Sequence, residues 1–526
     1  MQMNRLARGL GILAVTVAAG CKSLDIQNPN APDARRALSD PSAIEAVAGG
    51  TIRTWFNTFD ACEGNCVLAV QAQSFTSSWN NYNMFVYSDY SQTDGTRNAT
   101  GAWQNDPAAA GRTSIEELWT GYYSALSSAN DVLTAIRINK LVINNASDTK
   151  RSETIAQLIQ GASLAEIAMN YDKGYIVDET TDISTLAYQD RKKLRDAALA
   201  KLDAAIALAN GNTFVTPAAW ANGNTYTNVQ IAQIANSLAA RLLAYWPRNA
   251  AENASVNWGQ VATYASKGIS SGAAFDWMLI GDGCASWCPD ILQWFDAVDT
   301  GRIHTRVANM MDPVTQKTPF PLAAGGNTQP NSPDKRLGNG TFGTADMVAG
   351  FGNIPKTAGA GTDFMYSTQN NFRPSRGSWH QSNIGHVRYD LSGVQDVNGI
   401  YAAYGPAPAF TRNENDLLWA EGLIRSGGSL ATAAQLINNS RVNRGGLPAA
   451  TAADGVNGLI AKLQYEQEVE LPGIGAVPFY NRRRIDGLLV GTPHEMPVPA
   501  KELGVFGQAL YTWGGGANPA NSPTPP

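Results

Sequence analysis

Apolar residues recur at helical spacing along much of the chain and predict a series of amphipathic helices. The clearest stripe lies within residues 115–137 and consists of Leu118, Tyr122, Ala125, Ala129, Val132 and Ile136. Related periods appear over residues 153–174, 190–209, 228–246 and 414–425. An earlier helix is predicted to begin at Asp40, which suits a helix cap, with Pro41 in the first helical position. Each stripe needs a neighbouring element to cover it.

Two pairs of these helices have the spacing of helical hairpins. Residues 228–246 precede a second helix over 258–269, and residues 414–425 precede another over 429–444, after Gly427 and Gly428. Antiparallel pairs of this length are similar to tetratricopeptide-like units, although the consensus of that repeat is not legible here. Stacked pairs would share one continuous core, so the pattern predicts a mainly α fold.

Two stretches lack a sustained period, residues 62–112 and about 275–412, and are rich in Gly, Asn, Ser and aromatic residues. Irregular segments of this length in a folded protein usually carry function. We therefore expect helix pairs as a scaffold with long irregular loop regions, in a single domain over 21–526. Its N-terminal part would span about 21–270, its C-terminal part about 271–512, and an extended tail 513–526.

The N-terminus predicts export and lipid attachment. Arg5 and Arg8 precede a short apolar run over 10–19, and small residues lead to Cys21. We interpret residues 1–20 as a lipoprotein signal peptide and Cys21 as the acylated residue, which would hold the protein to a membrane surface. Lys22 after the cysteine favours the outer membrane. An ordinary signal peptide with an incidental cysteine is the alternative, because Ala18 stands where leucine is commoner.

Four further cysteines form two pairs with three residues between the partners, Cys62 with Cys66 and Cys284 with Cys288. In an exported protein such pairs indicate disulfides, most simply one within each pair, although four thiols allow three connectivities. A zinc site is the alternative. It is less favoured because the spacing is not that of a zinc knuckle and no histidine stands beside a cysteine.

Charge and motifs argue against several function classes. The formal net charge is −5 and the longest basic run is Arg482, Arg483 and Arg484, which disfavours nucleic-acid binding. No nucleophile elbow, metalloprotease helix, phosphate-binding loop or dinucleotide fingerprint is present, so no catalytic residue, metal or cofactor is predicted. Two carboxylates that meet only in space could still serve a glycosidase.

Several motifs together resemble the SusD/RagB family of outer-membrane nutrient-binding lipoproteins. They are Trp119 and Tyr122 with Asn130, the helix around Leu242 to Tyr245 with Trp258, and segments 414–422, 436–448, 463–471, 479–484 and 496–503. The sequence departs from the family pattern at Gln467, Pro472 and Asn481. These departures bear on which ligand is bound more than on the predicted fold.

The resemblance implies a binding protein and not an enzyme. In that family the protein covers a SusC-like TonB-dependent outer-membrane transporter, captures glycans or peptides, and releases them into the barrel. We expect a cell-surface lipoprotein that binds an oligosaccharide or a peptide. Two alternatives from other classes stay open, a secreted glycan hydrolase that uses paired carboxylates and a helical scaffold protein of the envelope.

The most ligand-like segment contains Trp79, Asn80 and Tyr82. Flat aromatic faces stack on the C–H faces of sugars, and amides both donate to and accept from hydroxyls. The segment 75–86 has no charged residue, which suits a neutral sugar. We predict a ligand face formed by these three residues, helped by Trp103 and by Trp287 or Trp294. Trp119 and Trp258 lie on apolar stripes and are expected in the core.

Overall fold

Helices dominate the part of the chain that the computed structural model describes, which is residues 39–77, 105–295, 301–318, 327–337, 363–366, 381–389, 394–395, 401–488 and 492–511. In chain order the helices are α1 Pro41–Phe59, α2 Val67–Gln71, α3 Thr113–Leu133, α4 Ala146–Asn170, α5 Arg191–Asn210, α6 Asn228–Tyr245, α7 Ala250–Ala254, α8 Trp258–Ala265, α9 Asp290–Phe295, α10 Thr305–Met311, α11 Arg412–Ser426, α12 Leu430–Arg441, α13 Gly455–Glu470, α14 Val477–Arg483 and α15 Ala500–Val505. The prediction of a mainly α fold is confirmed.

The long helices begin where the sequence supplies a cap. The Asp40 side chain accepts a hydrogen bond from the Ser42 N–H (2.9 Å), and Pro41 occupies the first turn of α1, as predicted. Thr227 and Gln230 form a reciprocal capping box at the start of α6. A left-handed Gly427 ends α11 and separates it from α12, so the C-terminal hairpin forms as the sequence indicates.

The helices pack largely in chain order, each covering the apolar stripe of the previous one. α3 packs on α4, α4 on α5, α5 on α6, and α6 on α8, while α1 lies across α3 and α4. The predicted stripe residues of α3, including Leu118, Tyr122 and Ala125, are fully buried. Trp119 and Trp258 are each 5% exposed, which confirms that both belong to the core.

Helices on either side of residue 270 meet through a close backbone approach. α8 packs on α11, and a Cβ added at Gly422 of α11 would lie 2.7 Å from the Ala262 backbone N of α8. Only glycine lets the two backbones come this near. A fully buried ion pair between Arg241 of α6 and Glu414 of α11 (2.6 Å) joins a second helix pair across the same boundary.

Short antiparallel ribbons lie in the irregular regions, and one more lies between α4 and α5. The strands are β1 Phe75–Ser77, β2 Lys173–Gly174, β3 Gln189–Asp190, β4 Trp277–Asp282, β5 Gly301–Ile303, β6 Phe364–Tyr366, β7 Ile384–His386, β8 Val394–Gln395, β9 Tyr401–Ala402 and β10 Tyr404–Phe410. They pair two by two: β1 with β5, β2 with β3, β4 with β10, β6 with β7, and β8 with β9. The long loops predicted over 62–112 and 275–412 therefore contain local pairing where they are described.

The basic run near the C-terminus is structural. Arg484 donates to both carboxylate oxygens of Glu421 (2.7 and 2.6 Å), and both side chains are 1% exposed. Arg483 is also buried and donates to the backbone carbonyls of Met169, Tyr245 and His494. These guanidinium groups tie α14 to the helical scaffold and are not available to an acidic ligand.

Candidate functional site

The predicted ligand-face residues are only partly within the described chain. Trp79, Asn80, Tyr82 and Trp103 lie outside the described residues, as does the predicted anchor Cys21. Trp287 and Trp294 are described and belong to one segment, 282–295. The site is therefore built from the elements that flank the aromatic segment, which are the end of α1, strand β1 and segment 282–295.

Two disulfides brace this part of the molecule. Cys62 is bonded to Cys66 with 4.5 Å between the Cα atoms, and Cys284 to Cys288 with 4.1 Å. The pairing is the one predicted from the sequence. The first bridge closes a single π-helical turn after α1, and the second closes the loop after β4. We call residues 57–66 together with 282–295 the braced corner.

Hydrogen bonds join the two disulfide loops to each other. The Asn57 side chain donates from Nδ2 to the Ser286 carbonyl (2.8 Å) and accepts from the Cys288 N–H (3.0 Å) at Oδ1. In return, Asp290 Oδ2 accepts from the Cys62 N–H (3.1 Å). A side chain from each loop thus hydrogen-bonds the backbone of the other loop, and these bonds hold the two loops of the braced corner together.

Trp287 lies in the core of the braced corner. Its side chain is 5% exposed, and its ring centroid lies 6.1 Å from that of Phe56 on α1. Its backbone N–H donates to Asp282 Oδ1 (2.9 Å), and its carbonyl accepts from the Asp282 N–H. This burial argues against a stacking role for Trp287 on a ligand, although the sequence-based prediction named it as one of two alternatives.

Trp294 is the half-buried member of the pair and points its indole N–H at Asp290 Oδ1 (2.9 Å). Burial raises the pKa of Asp290 to about 6, with a smaller contribution from the charge of Glu63. The next residue, Phe295, stacks on Phe75 of β1 at 4.3 Å between centroids. Trp294 is therefore held beside the strand that leads into the aromatic segment.

An open cleft of about 530 Å³ lies at the corner, between the end of α1 and the start of α3. Its walls include Asn57, Glu63, Glu117 and several threonines. Burial, together with a hydrogen bond and charge repulsion from Glu63, raises the pKa of Glu117 to about 9. The raised pKa favours the protonated form of Glu117 at neutral pH.

The direct interaction of Glu63 with Glu117 differs from the separated carboxyl pair of a glycosidase. Retaining and inverting enzymes separate their carboxyl groups by about 5 Å or more, so that a nucleophile or a water molecule fits between them and the sugar. The effect of Glu63 on the pKa of Glu117 indicates a closer approach for this one pair. Among the residues described, no group of three or more His, Cys, Asp or Glu side chains is arranged to hold a metal ion.

Sequence reasoning missed the two side chains that hold the corner together, Asn57 and Asp290. Asn57 lies on an amphipathic helix, and its partners Ser286 and Cys288 are 229 and 231 residues away in sequence. The only local signal is that both residues flank a cysteine pair. That signal indicates a nearby loop but not which side chain fastens it.

Comparisons with known proteins identify the fold through structure alone. No protein-family model and no curated protein sequence matches the chain. A crystal structure of a SusD-like protein from Bacteroides fragilis NCTC 9343 superposes with a TM-score of 0.56 at 14% identity, covering 86% of this chain and 87% of that chain.

Two further crystal structures give the same result. A SusD superfamily protein from Bacteroides thetaiotaomicron has a TM-score of 0.55 at 14% identity, over 85% of this chain and 90% of its own. A SusD-like carbohydrate binding protein from B. fragilis has a TM-score of 0.55 at 11% identity, over 85% and 86%. The chain has the SusD-like fold, and the resemblance predicted from its motifs is confirmed at that level.

Proposed function

We propose that this protein is a cell-surface lipoprotein that binds a neutral oligosaccharide and delivers it to a SusC-like TonB-dependent outer-membrane transporter. The observation that carries the proposal is the SusD-like fold over about 85% of the chain, shared with a protein described as carbohydrate binding. A peptide ligand is the competing possibility. The charge-free aromatic and amide segment 75–86 favours the sugar.

The braced corner supports a ligand face that includes Trp79 and Trp294. Ser77, the last residue of β1, pairs with Gly301 of β5. A Cβ at Gly301 would lie 3.0 Å from the Trp294 carbonyl oxygen, so the two backbones touch there. Trp79 follows Ser77 by two residues, and two residues of chain span at most about 7 Å. This short separation along the chain supports the proposal that Trp79 and Trp294 belong to one ligand face.

The described chain that follows Trp103 is held by a different part of the molecule. Asn105, two residues further on, donates to the carbonyls of Val498 (2.8 Å) and Tyr511 (2.7 Å) and accepts from the Ala500 N–H (2.7 Å). These partners belong to the C-terminal segment around α15. We keep Trp103 in the proposed ligand face on its residue type alone, as an auxiliary contact.

A matched pair of tryptophan variants tests the ligand face. Trp79→Ala should weaken binding of the best ligand from a glycan array by about 1 to 3 kcal/mol, as truncated aromatic anchors do, with little change in melting temperature. Trp258→Ala is the control, because Trp258 is buried and its indole N–H donates to the Asn253 carbonyl (3.1 Å). It should melt early and bind normally while folded. A Trp79→Ala protein that melts early but binds normally would reject the assignment.

Membrane attachment is proposed to rest on acylated Cys21. Within the described residues no helix has both the length and the apolar character needed to cross a bilayer. Cys21→Ala should therefore move the protein from the membrane pellet to the soluble fraction after cell fractionation. Retention in the outer-membrane pellet after a salt wash would contradict the anchor.

Two further measurements distinguish ligand delivery to a transporter from an envelope-scaffold role and from glycan hydrolysis. Co-purification of the lipidated protein with a large outer-membrane transporter would support delivery, and its absence would favour an envelope scaffold. Turnover of the bound glycan by the purified protein would favour a hydrolase. We expect binding without turnover, because none of the catalytic motifs considered is present in the sequence.

A further inference from the structure

A second cleft, of about 280 Å³, opens on α3 away from the braced corner. Its aromatic floor is the half-buried Tyr123 ring, against which Trp119 and Tyr175 pack with only 5% of each side chain exposed, and Ser127, Asn130 and Glu502 stand at its rim. We call it the aromatic cleft. Its lining has aromatic rings and polar groups together, the composition typical of small-ligand sites, and its volume is near the lower end of such sites.

The aromatic floor is fixed before any ligand arrives. The Tyr123 hydroxyl donates to the Tyr175 carbonyl (3.1 Å) and accepts from the Tyr175 N–H. Trp119 packs against Tyr123 with 4.7 Å between ring centroids, and Tyr188 stacks on Tyr175 at 4.5 Å. Rings held in this way lose little conformational entropy on binding, which favours affinity.

The rim residues retain hydrogen-bonding capacity. Glu502 Oε1 accepts from the Tyr175 hydroxyl (3.2 Å), and Asn130 Oδ1 accepts from Gln160 Nε2 (2.6 Å). The Glu502 Oε2 atom, the Asn130 amide N–H groups and the exposed Ser127 hydroxyl are each left without a partner among the described residues. The cleft thus offers both acceptors and donors above an aromatic floor.

We propose that the aromatic cleft binds one neutral pyranose ring, as a site separate from the proposed ligand face. A sugar ring presents a C–H face suited to the half-buried Tyr123 ring of the floor and hydroxyls suited to the three rim groups. An apolar side chain of a peptide would use the floor and leave the rim groups desolvated and unpaired, which costs free energy. No lysine or arginine is among the described lining residues, so an acidic sugar has no counter-charge there.

The test uses the full mature chain and four methyl pyranosides as probes, those of glucose, galactose, mannose and N-acetylglucosamine. Saturation-transfer NMR identifies which probe binds, and titration gives its affinity. Ser127→Trp places an indole in the cleft mouth and should weaken binding by about tenfold or more. Ser124→Trp is the matched control, since Ser124 is exposed on the same helix but does not line the cleft. It should bind like the parent chain.

A second variant keeps the result interpretable if Ser127→Trp folds poorly. Glu502→Ala removes a rim acceptor near the C-terminus of the described chain and should also weaken binding severalfold. Trp79→Ala separates this site from the proposed ligand face, because it should leave binding in the aromatic cleft unchanged.

The outcomes differ for the two proposals. Probe signals that vanish in Trp79→Ala but persist in Ser127→Trp and Glu502→Ala would overturn the aromatic cleft and leave the proposed function standing. No signal from any pyranoside at tens of millimolar would also overturn the cleft, as would binding of aromatic peptides in place of sugars. The proposed ligand face is tested separately, by the effect of Trp79→Ala on oligosaccharide binding.

Discussion

Removal of the Asn57 side chain tests how the braced corner is held. Asn57→Ala deletes the donor to the Ser286 carbonyl (2.8 Å) and the acceptor for the Cys288 N–H (3.0 Å). Both partners belong to the loop closed by the second disulfide. Asn57→Ala leaves in place the hydrogen bond of Asp290 with the Cys62 N–H, that of the Ile291 N–H with the Asp60 carbonyl (2.9 Å), and the Phe56–Trp287 ring contact.

The expected loss of stability follows from these two hydrogen bonds. Each contributes a net of about 0.5 to 1.5 kcal/mol, so their removal should cost about 1 to 3 kcal/mol. Asn57 also lines the open cleft, and water can enter the space that the side chain leaves. Rehydration of the freed backbone groups places the expected loss in the free energy of unfolding in the lower half of that range, at about 1 to 2 kcal/mol.

Urea unfolding measured for the parent chain, Asn57→Ala and Thr120→Ala gives the comparison. Thr120 lines the same cleft and is exposed, but its side chain does not join the disulfide loops, so Thr120→Ala should change stability by less than about 0.5 kcal/mol. Glycan affinity should fall in Asn57→Ala and not in Thr120→Ala, since only the former releases the loop that carries Trp294. Equal stabilities of the two variants would refute the view that Asn57 fastens the corner.

Two further predictions concern the elements around the site. Gly301→Ala should lower the melting temperature, because its Cβ would lie 2.8 Å from the Phe295 Cα, and a loss of about 1 to 3 kcal/mol is expected by thermal unfolding; an unchanged melting temperature would show that β5 can shift. Pairing with Arg484 holds the pKa of Glu421 at about 2, below its unfolded value, so the pair's stabilisation is complete above about pH 4.5 and is lost as the pH falls toward 2. Glu421→Gln should remove that part of the acid dependence, and an identical acid-unfolding curve would contradict it.

The helical scaffold could be predicted because its signals are local. Apolar spacing located the stripe of α3, and Asp40 with Pro41 marked the start of α1 within one residue. The stripe also predicted that Trp119 is in the core. Helix periodicity reports on burial directly, so these predictions did not require knowledge of the partner elements.

The site was less predictable because its geometry depends on residues distant in sequence. Trp287 and Trp294 look alike in the sequence, yet the first packs on Phe56 and the second stays half-buried beside Asp290. What separates them is the position of α1, which reaches this loop only in the folded chain. The role of Asn57 could not be predicted for the same reason, because no residue near it in sequence indicates that Ser286 and Cys288 are its partners.

The division of roles between disulfides and hydrogen bonds follows from loop length. Each bridge joins cysteines four residues apart, and the chain-entropy model assigns so small a loop a stabilisation of only about 2 kcal/mol. Neither bridge links distant parts of the chain, so neither can position one loop against the other. Asn57 and Asp290 do that, while the bridges keep each loop in the shape that those side chains recognise. If Trp294 contacts the ligand, the hydrogen bonds of Asn57 and Asp290 position the segment that carries it, and the disulfides maintain the shape of the two loops.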